Sequence, residues 1–440
     1  MKIINGANFW SDGLAIYLPC LDSPFVIHHI ATKPQKHALT QEPQKSEKGK
    51  GKRSISTQLS THFLTLTYDG LHVLALELLV YRSSPSTDQG ETENESFTTI
   101  FVSKADSSGY FNSGREDVRL NIGAIVTQIL TIFIQTLARP NIPIRLCLFA
   151  RAQPQYIFPE SGRNKQKHVL SDRGLVKWWI RVTSPLLSVF SELKSARLCV
   201  PGAEPGEIKS FLLPDPETKK LLWKEGHIFC ADGDRDNQPA IRHIPSFPDD
   251  PKSRFLDFLV AEGRDGITTV NQFFAELQVR QEFLLGFVAA IIGIEGLVDK
   301  NANDTSTFAC PVVENKVYSK IHDAIVTSDY STETLARNAT AKFIEALPKS
   351  SEYVIQGTQK SSKAGPEGKN YLKEPSQQIN VIGGGLVRKR TKPADTRGTT
   401  VARQQAADAH NSSNESQQKL RMDQSDHESG DLGMSKRVKL

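Results

Sequence analysis

The sequence predicts an α+β domain organised around one central mixed sheet, with helices and long loops about it. Three observations predict this. Strand-like and helix-like segments are mixed without the steady alternation of a βαβ chain. Two β-forming runs are joined by Asp69-Gly70, a strong short-range hairpin signal. Residues 122–137 repeat apolar side chains at helical spacing. With 440 residues and 38% hydrophobic content, the chain can bury a sizeable core. From residue 348 onward there is no Phe, Trp or Cys. The expected layout is therefore a domain over 1–347, with disordered loops at 33–57 and 83–97, and a disordered basic tail over 348–440.

In chain order, residues 14–18 and 24–30 are short apolar runs, followed by the lysine-rich loop. Residues 62–68 alternate with β-formers, 71–81 are strongly apolar, and 98–103 form a further strand. A polar turn over 104–110 follows. The next helix, over 117–137, is apolar at Ile122, Ile125, Val126, Ile129, Phe133 and Leu137, and Pro140 and Pro143 end it. Residues 144–149 are a compact strand. Ser171 or Asp172 caps a helix through Leu175, Trp178, Trp179, Val182, Leu186 and Phe190, kinked at Pro185. Residues 197–200 read as a strand. In Phe247-Pro248-Asp249-Asp250-Pro251-Lys252-Ser253-Arg254-Phe255, the prolines predict a stiff, extended stretch. Thr269 and Gln272 form a capping box before a helix read as far as Ile291. Two more helices, 318–325 and 332–347, give a helical C-terminal half.

Several function classes are excluded. The five cysteines are scattered and include no Cys-x-x-Cys pair, so reduced thiols and no zinc finger are expected. There is no Walker A loop, dinucleotide fingerprint, G-x-S-x-G elbow or H-E-x-x-H pair, and Gly383-Gly384-Gly385 reads as a hinge in the tail. The start of the chain does not read as a signal peptide. The apolar run 283–298 is short and interrupted by Glu295, so no membrane span is expected. The net charge of +5 is mild, with basic clusters at 48–53, 163–167, 388–392 and 436–439.

Four places join polar and aromatic residues at element ends: 104–110, 149–156, His168 with Trp178 and Trp179, and 249–254. Composition leaves each open. The tryptophans suit a core as well as a pocket wall, the acids a solvated turn, and His168 a surface.

Taken together, these runs resemble a known family. Phe101-Val-Ser-Lys-Ala-Asp106, Leu146-Cys-Leu-Phe149 with Arg151, Gln155-Tyr156, Phe158-Pro159, Lys167-His168, Lys177-Trp178-Trp179, Pro201-Gly202 with Glu204-Pro205, and above all 247–255 are similar to the fungal histone H3 acetyltransferases named as regulators of Ty1 transposition. The likeness covers most of 60–345, and its motifs agree in order and spacing. It implies a fold like that of CREB-binding-protein-type acetyltransferases, acetyl-CoA as cosubstrate, no metal and a nuclear location. It also implies histone H3 as substrate, presented as H3–H4 with histone chaperones of the NAP and anti-silencing-function types. Replication-coupled nucleosome assembly and the DNA damage response would be the setting, without a membrane or sequence-specific nucleic acid. The cofactor groove would be shaped by Phe101, Lys104, Ala105, Phe149, Arg151, Tyr156, His168, Trp178 and Trp179.

The chemistry suits those residue types. The pantetheine arm needs an apolar slot, and the phosphates need cations, which Arg151 and the loop 163–167 would offer. The amine must lose a proton, so a carboxylate is required near it. Asp106 is expected to bind the lysine or take its proton, and Asp249 and Asp250 to shape the substrate mouth, with Tyr156 and Trp179 completing the catalytic set. Lys252 matches a lysine that is self-acetylated in the family. Cys147 lies inside an apolar strand, so direct attack of the amine on the thioester is expected. One departure is the short segment between Tyr110 and Leu146, where the budding-yeast relative carries a long insertion. The alternative is a catalytically inactive histone or nucleic-acid binding module on the same fold.

Overall fold

The computed structural model describes residues 6–41, 43, 55–85, 96–111, 118–212, 214, 220–230, 238–248, 250–279, 288–300 and 307–359. Its strands are β1 (Phe25–Thr32), β2 (Gln35–Lys36), β3 (Ile55–Tyr68), β4 (Leu71–Pro85), β5 (Phe97–Ser107), β6 (Ile144–Ala150), β7 (Glu192–Cys199), β8 (Lys224–Glu225), β9 (Ala290–Leu297), β10 (Val312–Val313) and β11 (Glu352–Ile355). The described helices are α1 (Gly6–Leu14), α2 (Ile122–Leu137), α3 (Asp172–Thr183), α4 (Pro205–Lys209), α5 (Ala240–His243), α6 (Pro251–Ala261), α7 (Val270–Leu277), α8 (Asn315–Val326) and α9 (Glu333–Ala346).

All the described strands join one sheet, in the order β10-β1-β3-β4-β5-β6-β9-β7-β8, with β11 on β1 and β2 on β3. The expected hairpin is β3–β4. Asp69 (φ 47) and Gly70 (φ 68) both take the left-handed conformation that a tight two-residue turn needs. Beside this hairpin β5 runs antiparallel, and β6 runs parallel to β5 after the crossover through α2.

Alternation along each strand sorts the core into two faces. Leu76, Leu78, Val80, Val102 and Leu148 point into a large cluster with α1, α2 and α3. Leu79, Tyr81, Phe101, Cys147 and Ile291 face the other way, into a cluster with α5, α6 and α7. Further along that second face, Phe63, Leu71 and Ala75 meet Ile157, Phe158, α8 and α9.

The mixed sheet with surrounding helices is as expected, but several elements differ. The C-terminal half is not only helical. The helix begun at Thr269 ends at Leu277, and Ile291 lies in β9, between β6 and β7. That strand is buried on both faces, so its apolar run lacks the alternation that separates strand from helix. Its glycines are packing choices: a Cβ on Gly296 would sit 2.5 Å from the Glu192 carbonyl oxygen.

The capping box at Thr269 and Gln272 and the Ser171 cap both form. The α3 helix ends at Thr183 and tightens into a 3₁₀ stretch, Ser184–Val189, rather than running kinked to Phe190. Pro185 offers no N–H to continue the helix. The helix expected from 117 starts at Ile122, capped by Asn121, and the strand expected at 197–200 covers Glu192–Cys199. Of the stretch 247–255, expected to be extended, Asp250 is extended (φ −92, ψ 127). Pro251 then takes the first position of α6, a place where a missing N–H costs nothing.

Parts of the expected loops are strand: β2 and the start of β3 within 33–57, and the end of β4 and start of β5 within 83–97. Residues 44–54 and 86–95 lie outside the described residues. The boundary at 347 falls short, because β11 pairs with β1. The rest of the tail, 360–440, lies outside the described residues. No described helix is long and apolar enough to cross a membrane.

Candidate active site

The sequence-predicted residues fall into three groups around β5 and β6. The first lies on the sheet face beneath α6. Phe101 stacks on Phe247 with ring centroids 4.0 Å apart and planes 7° from parallel, and Tyr81 packs beside them at 5.5 Å. Lys252, in the first turn of α6, points its Nζ between Phe149, Phe229 and Phe247, 5.8 Å from each ring centroid. Its charge partner is Asp250, which Nζ contacts directly and whose other oxygen caps α6 by accepting the Lys252 backbone N–H. The Lys252 side chain is 1% exposed and that of Asp250 0%.

Asp250 therefore does not line an open mouth, as expected above. It is a buried cap and counter-ion. Asp249 lies outside the described residues. Burial, and second the charge of Asp250, push the Tyr81 hydroxyl up, and that hydroxyl has no hydrogen-bond partner among the described residues. Burial likewise pushes the Cys147 thiol up to about 12, which fits a structural thiol and not a nucleophile.

The second group is a clamp at the end of β5. Asp106 Oδ2 accepts three successive backbone N–H groups, from Tyr156 at 2.8 Å, Ile157 at 2.9 Å and Phe158 at 3.1 Å. Its Oδ1 accepts from Lys167 Nζ at 2.8 Å, and the same ammonium donates to Ser161 Oγ. Both oxygens are thus engaged, and Asp106 and Lys167 are nearly fully buried. In this arrangement Asp106 anchors the loop, with its carboxylate turned to the loop amides and to Lys167. Lys167 is thereby withdrawn from the cations expected to meet phosphates, and Arg163 pairs with Glu160 at the surface. Gly109 makes the clamp possible, because its φ of +82 and its approach to Lys167 leave no room for a Cβ.

Tyr156 itself stands half-buried, with its hydroxyl on the Arg151 carbonyl. Burial above all, opposed by Arg151 and aided by Asp106, raises it to about 12, so it holds its proton at neutral pH.

The third group is on the opposite face. Trp178 and Trp179 meet edge to face at 4.8 Å, with Trp179 buried and Trp178 half-buried against the α1–α3 cluster. Ala105 packs against that same cluster. His168 is exposed, in the loop after the clamp. Phe101, Phe149, Lys252 and Asp250 are thus brought together, as are Asp106 and Tyr156, whereas the tryptophans stand apart from both. The clamp loop follows β6 directly, next to the end of β5. In sheets with parallel strands, ligands are commonly held outside the carboxyl ends of the strands.

One network was not anticipated. Glu77, on β4, accepts from Ser103 Oγ at 2.6 Å and from the Tyr318 hydroxyl at 2.7 Å, and His322 Nε2 stands 3.8 Å away. The sequence did carry a signal, since Glu77 is the lone acid in the apolar run 71–81.

His29, His62 and Cys310 place one ligand atom each within 4.8 Å of one another. The two imidazoles are 3.0 Å apart, a hydrogen-bond distance. Two nitrogens on one tetrahedral zinc would stand about 3.3 Å apart, given bonds of about 2.0–2.1 Å. The pair reads as two rings sharing a proton inside a cage of Trp10, Phe133 and Phe308.

The model of the histone acetyltransferase KAT11-type domain matches residues 11–139 and 128–346. The chain belongs to this family. Among curated relatives, the KAT11-type chain is 29% identical to histone acetyltransferase rtt109 of Aspergillus flavus over 381 residues, covering 76% of this chain and 64% of that protein. It is 33% identical to histone acetyltransferase RTT109 of Candida albicans over 201 residues, covering 46% and 52%. With histone acetyltransferase rtt109 of Schizosaccharomyces pombe it shares 29% identity over 315 residues, covering 67% and 77%. It thus spans less than two thirds of the first two relatives. The crystal structure of Rtt109 from Aspergillus fumigatus superposes with a TM-score of 0.65 at 27% identity, over 80% of this chain and 99% of that one.

Proposed function

We propose that this chain is an acetyl-CoA-dependent lysine acetyltransferase that acts on histone H3, both on a core-domain lysine near the first helix and on tail lysines, and that it works on new H3–H4 with chaperones of the NAP and anti-silencing-function types. The observation that carries this reading is that the Asp106 clamp, at the carboxyl ends of the parallel strands β5 and β6, and the Phe101–Phe149–Phe247 face are built on the same two strands within a KAT11-type domain. Nucleosome assembly behind replication, the DNA damage response and a nuclear location belong to the same reading.

Bound acetyl-CoA supplies an activated acetyl thioester. The chain's own residues fit such a ligand: aromatic side chains for an apolar arm and Arg151 for phosphate. Asp106 holds the loop that carries Tyr156, so a small carboxylate sets the position of a large ring. With its proton retained, Tyr156 suits donation to a developing negative charge. Cys147 stays a buried thiol, which supports direct attack by the lysine amine.

Lys252 is the modified residue in this proposal. An ammonium among three phenylalanines is costly to bury, and acetylation replaces it with an amide that still donates a hydrogen bond.

The test is transfer of label from radiolabelled acetyl-CoA to H3 within H3–H4, with and without chaperone. Folded protein that labels no H3 refutes the reading. An inactive module on the same fold would also show no rise in melting temperature with acetyl-CoA, although a bound ligand stabilises by about 2.7 kcal/mol at a hundredfold excess over Kd.

A further inference from the structure

We propose that Glu77 is the carboxylate that receives the substrate lysine's ammonium group and accepts its proton, with His322 as the next acceptor toward solvent. This rests on the acetyltransferase reading above and names the group which that reading lacks. Of the described carboxylates expected at the site, Asp106 is held by three N–H groups and Lys167, and Asp250 by Lys252. Each already holds a lysine ammonium that a substrate lysine would have to displace, whereas the donors on the Glu77 oxygens are the Ser103 and Tyr318 hydroxyls.

Glu77 stands where such a group is needed. Along β4 the side chains facing α6 are Tyr81 and Leu79, and the same alternation brings Glu77 onto that face. Leu79 shares a cluster with Phe101 and Phe247, and Ala75, on the other side of Glu77, belongs to the cluster of Ile157 and Phe158. Glu77 is therefore on the sheet floor between the Lys252 group and the clamp loop, about 6.6 Å along the strand from Leu79.

Across the sheet, Glu77 pairs with Lys104 and Ala75 with Asp106. A bulge lies at this point. Leu78 pairs with Val102, so Ser103 is the extra residue, and its hydroxyl donates to Glu77. Bulges of this kind re-aim side chains beside active sites.

The surroundings suit a proton acceptor. Ser103 and Lys104 from β5 and Tyr318 and His322 from α8 face the carboxylate, with Asp323 behind His322. Burial and the charge of Glu77 push the Tyr318 hydroxyl up, so it remains a donor. Burial, opposed by Glu77 and aided by Lys104, lowers the His322 imidazole, so the ring is neutral at rest. Its Nε2 has no hydrogen-bond partner among the described residues. Glu77 keeps 11% side-chain exposure and His322 19%, which opens a way out to water.

The step balances. One proton passes from the lysine ammonium to Glu77, then through His322 to solvent. The free amine forms the N–C bond, the C–S bond of the thioester breaks, and the second nitrogen proton leaves with the thiolate as coenzyme A thiol.

Glu77→Gln keeps the shape and removes the charge. With wild-type protein active, kcat for H3 should fall by roughly 100-fold or more, while the affinity for acetyl-CoA stays within twofold. Binding is read separately, by anisotropy of an H3 peptide without acetyl-CoA. Wild type should prefer the lysine peptide over its acetyllysine form by about tenfold, and Glu77→Gln should lose that preference. Tyr318→Phe, which leaves the carboxylate in place, should move the acidic limb of the kcat/KM profile to higher pH, because the ionised form loses a donor. If Glu77→Gln folds poorly, this second variant decides. An active wild type whose Glu77→Gln keeps turnover and peptide preference, or whose Tyr318→Phe leaves the acidic limb in place, overturns the proposal and leaves the acetyltransferase reading standing. An inactive wild type refutes that reading instead.

Discussion

Replacing Asp106 by alanine separates an anchor from a base. The carboxylate accepts three backbone N–H groups and the ammonium of Lys167, and both charged side chains are nearly fully buried. Each orphaned N–H costs roughly 1–3 kcal/mol while it stays buried. Tyr156 is half-exposed and its amide regains water, which leaves those of Ile157 and Phe158. Lys167 is left as an unpaired charge, and breaking a buried pair typically costs about 3–5 kcal/mol. Allowing for relaxation of the loop, Asp106→Ala should lose about 4–6 kcal/mol. At roughly 2.1 cal/mol/K per residue, a domain of this size loses about 6–8 °C in Tm.

Scanning fluorimetry and calorimetric titration with acetyl-CoA read the two consequences, a lower Tm and weaker binding as the Tyr156 loop loosens. Adding Lys167→Met should restore about 1–2 kcal/mol, because it removes the stranded cation. A variant with the Tm and acetyl-CoA affinity of wild type, defective only in turnover, would show that Asp106 acts on the proton and refute the anchor.

Three more outcomes follow from the buried charges, the buried histidines and β11. Lys252→Ala strands the buried Asp250 and should lose about 3–5 kcal/mol in urea unfolding, whereas Lys252→Gln should lose much less; intact mass with site mapping should find an acetyl group on Lys252 in active protein, and equal losses in the two variants would contradict the pairing. Burial holds His62 and His72 neutral, each pushed down to about 3. The unfolded chain therefore takes up protons first as pH falls, and stability is full above the ordinary value of 6.5 and drops toward about pH 3, by up to about 2 kcal/mol per histidine at pH 5. Urea midpoints that match at pH 7 and pH 5 would rule this out, and His72→Asn should flatten the slope. Truncation after residue 347 removes the buried Tyr353 and Ile355 of β11 and should cost about 3–6 kcal/mol, whereas truncation after 359 should leave Tm unchanged; equal Tm for the two forms would mean that β11 contributes nothing.

The legible parts of the fold were those with local chemistry. Asp69-Gly70, Ser171, Thr269 and Gln272 each act on the backbone within four residues, and all sit where the sequence implied. In the sequence β9 resembles a helix because a strand covered on both faces shows no period, and only its place between β6 and β7 settles it. At the site, aromatic residues on β5, β6 and before α6 did come together. The carboxylates were harder. A sequence shows which acids are near a motif, but their roles depend on what occupies their oxygens. Asp106 is spent on amides 50–52 residues away and Asp250 on a lysine two residues away. Glu77 is hard to see in the sequence because it interrupts an apolar run and belongs to no motif.

The strand β1 has one further consequence. One of its edges is shared by β10 and β11, whose residues come about 280–330 positions later in the chain. At 5–20 residues per second, a growing chain on the ribosome presents that edge open for roughly a quarter of a minute to a minute. An unpaired edge of such apolar composition is a template for pairing with other chains. The nascent protein therefore depends on shielding until β11 arrives, and only then is that edge of β1 covered.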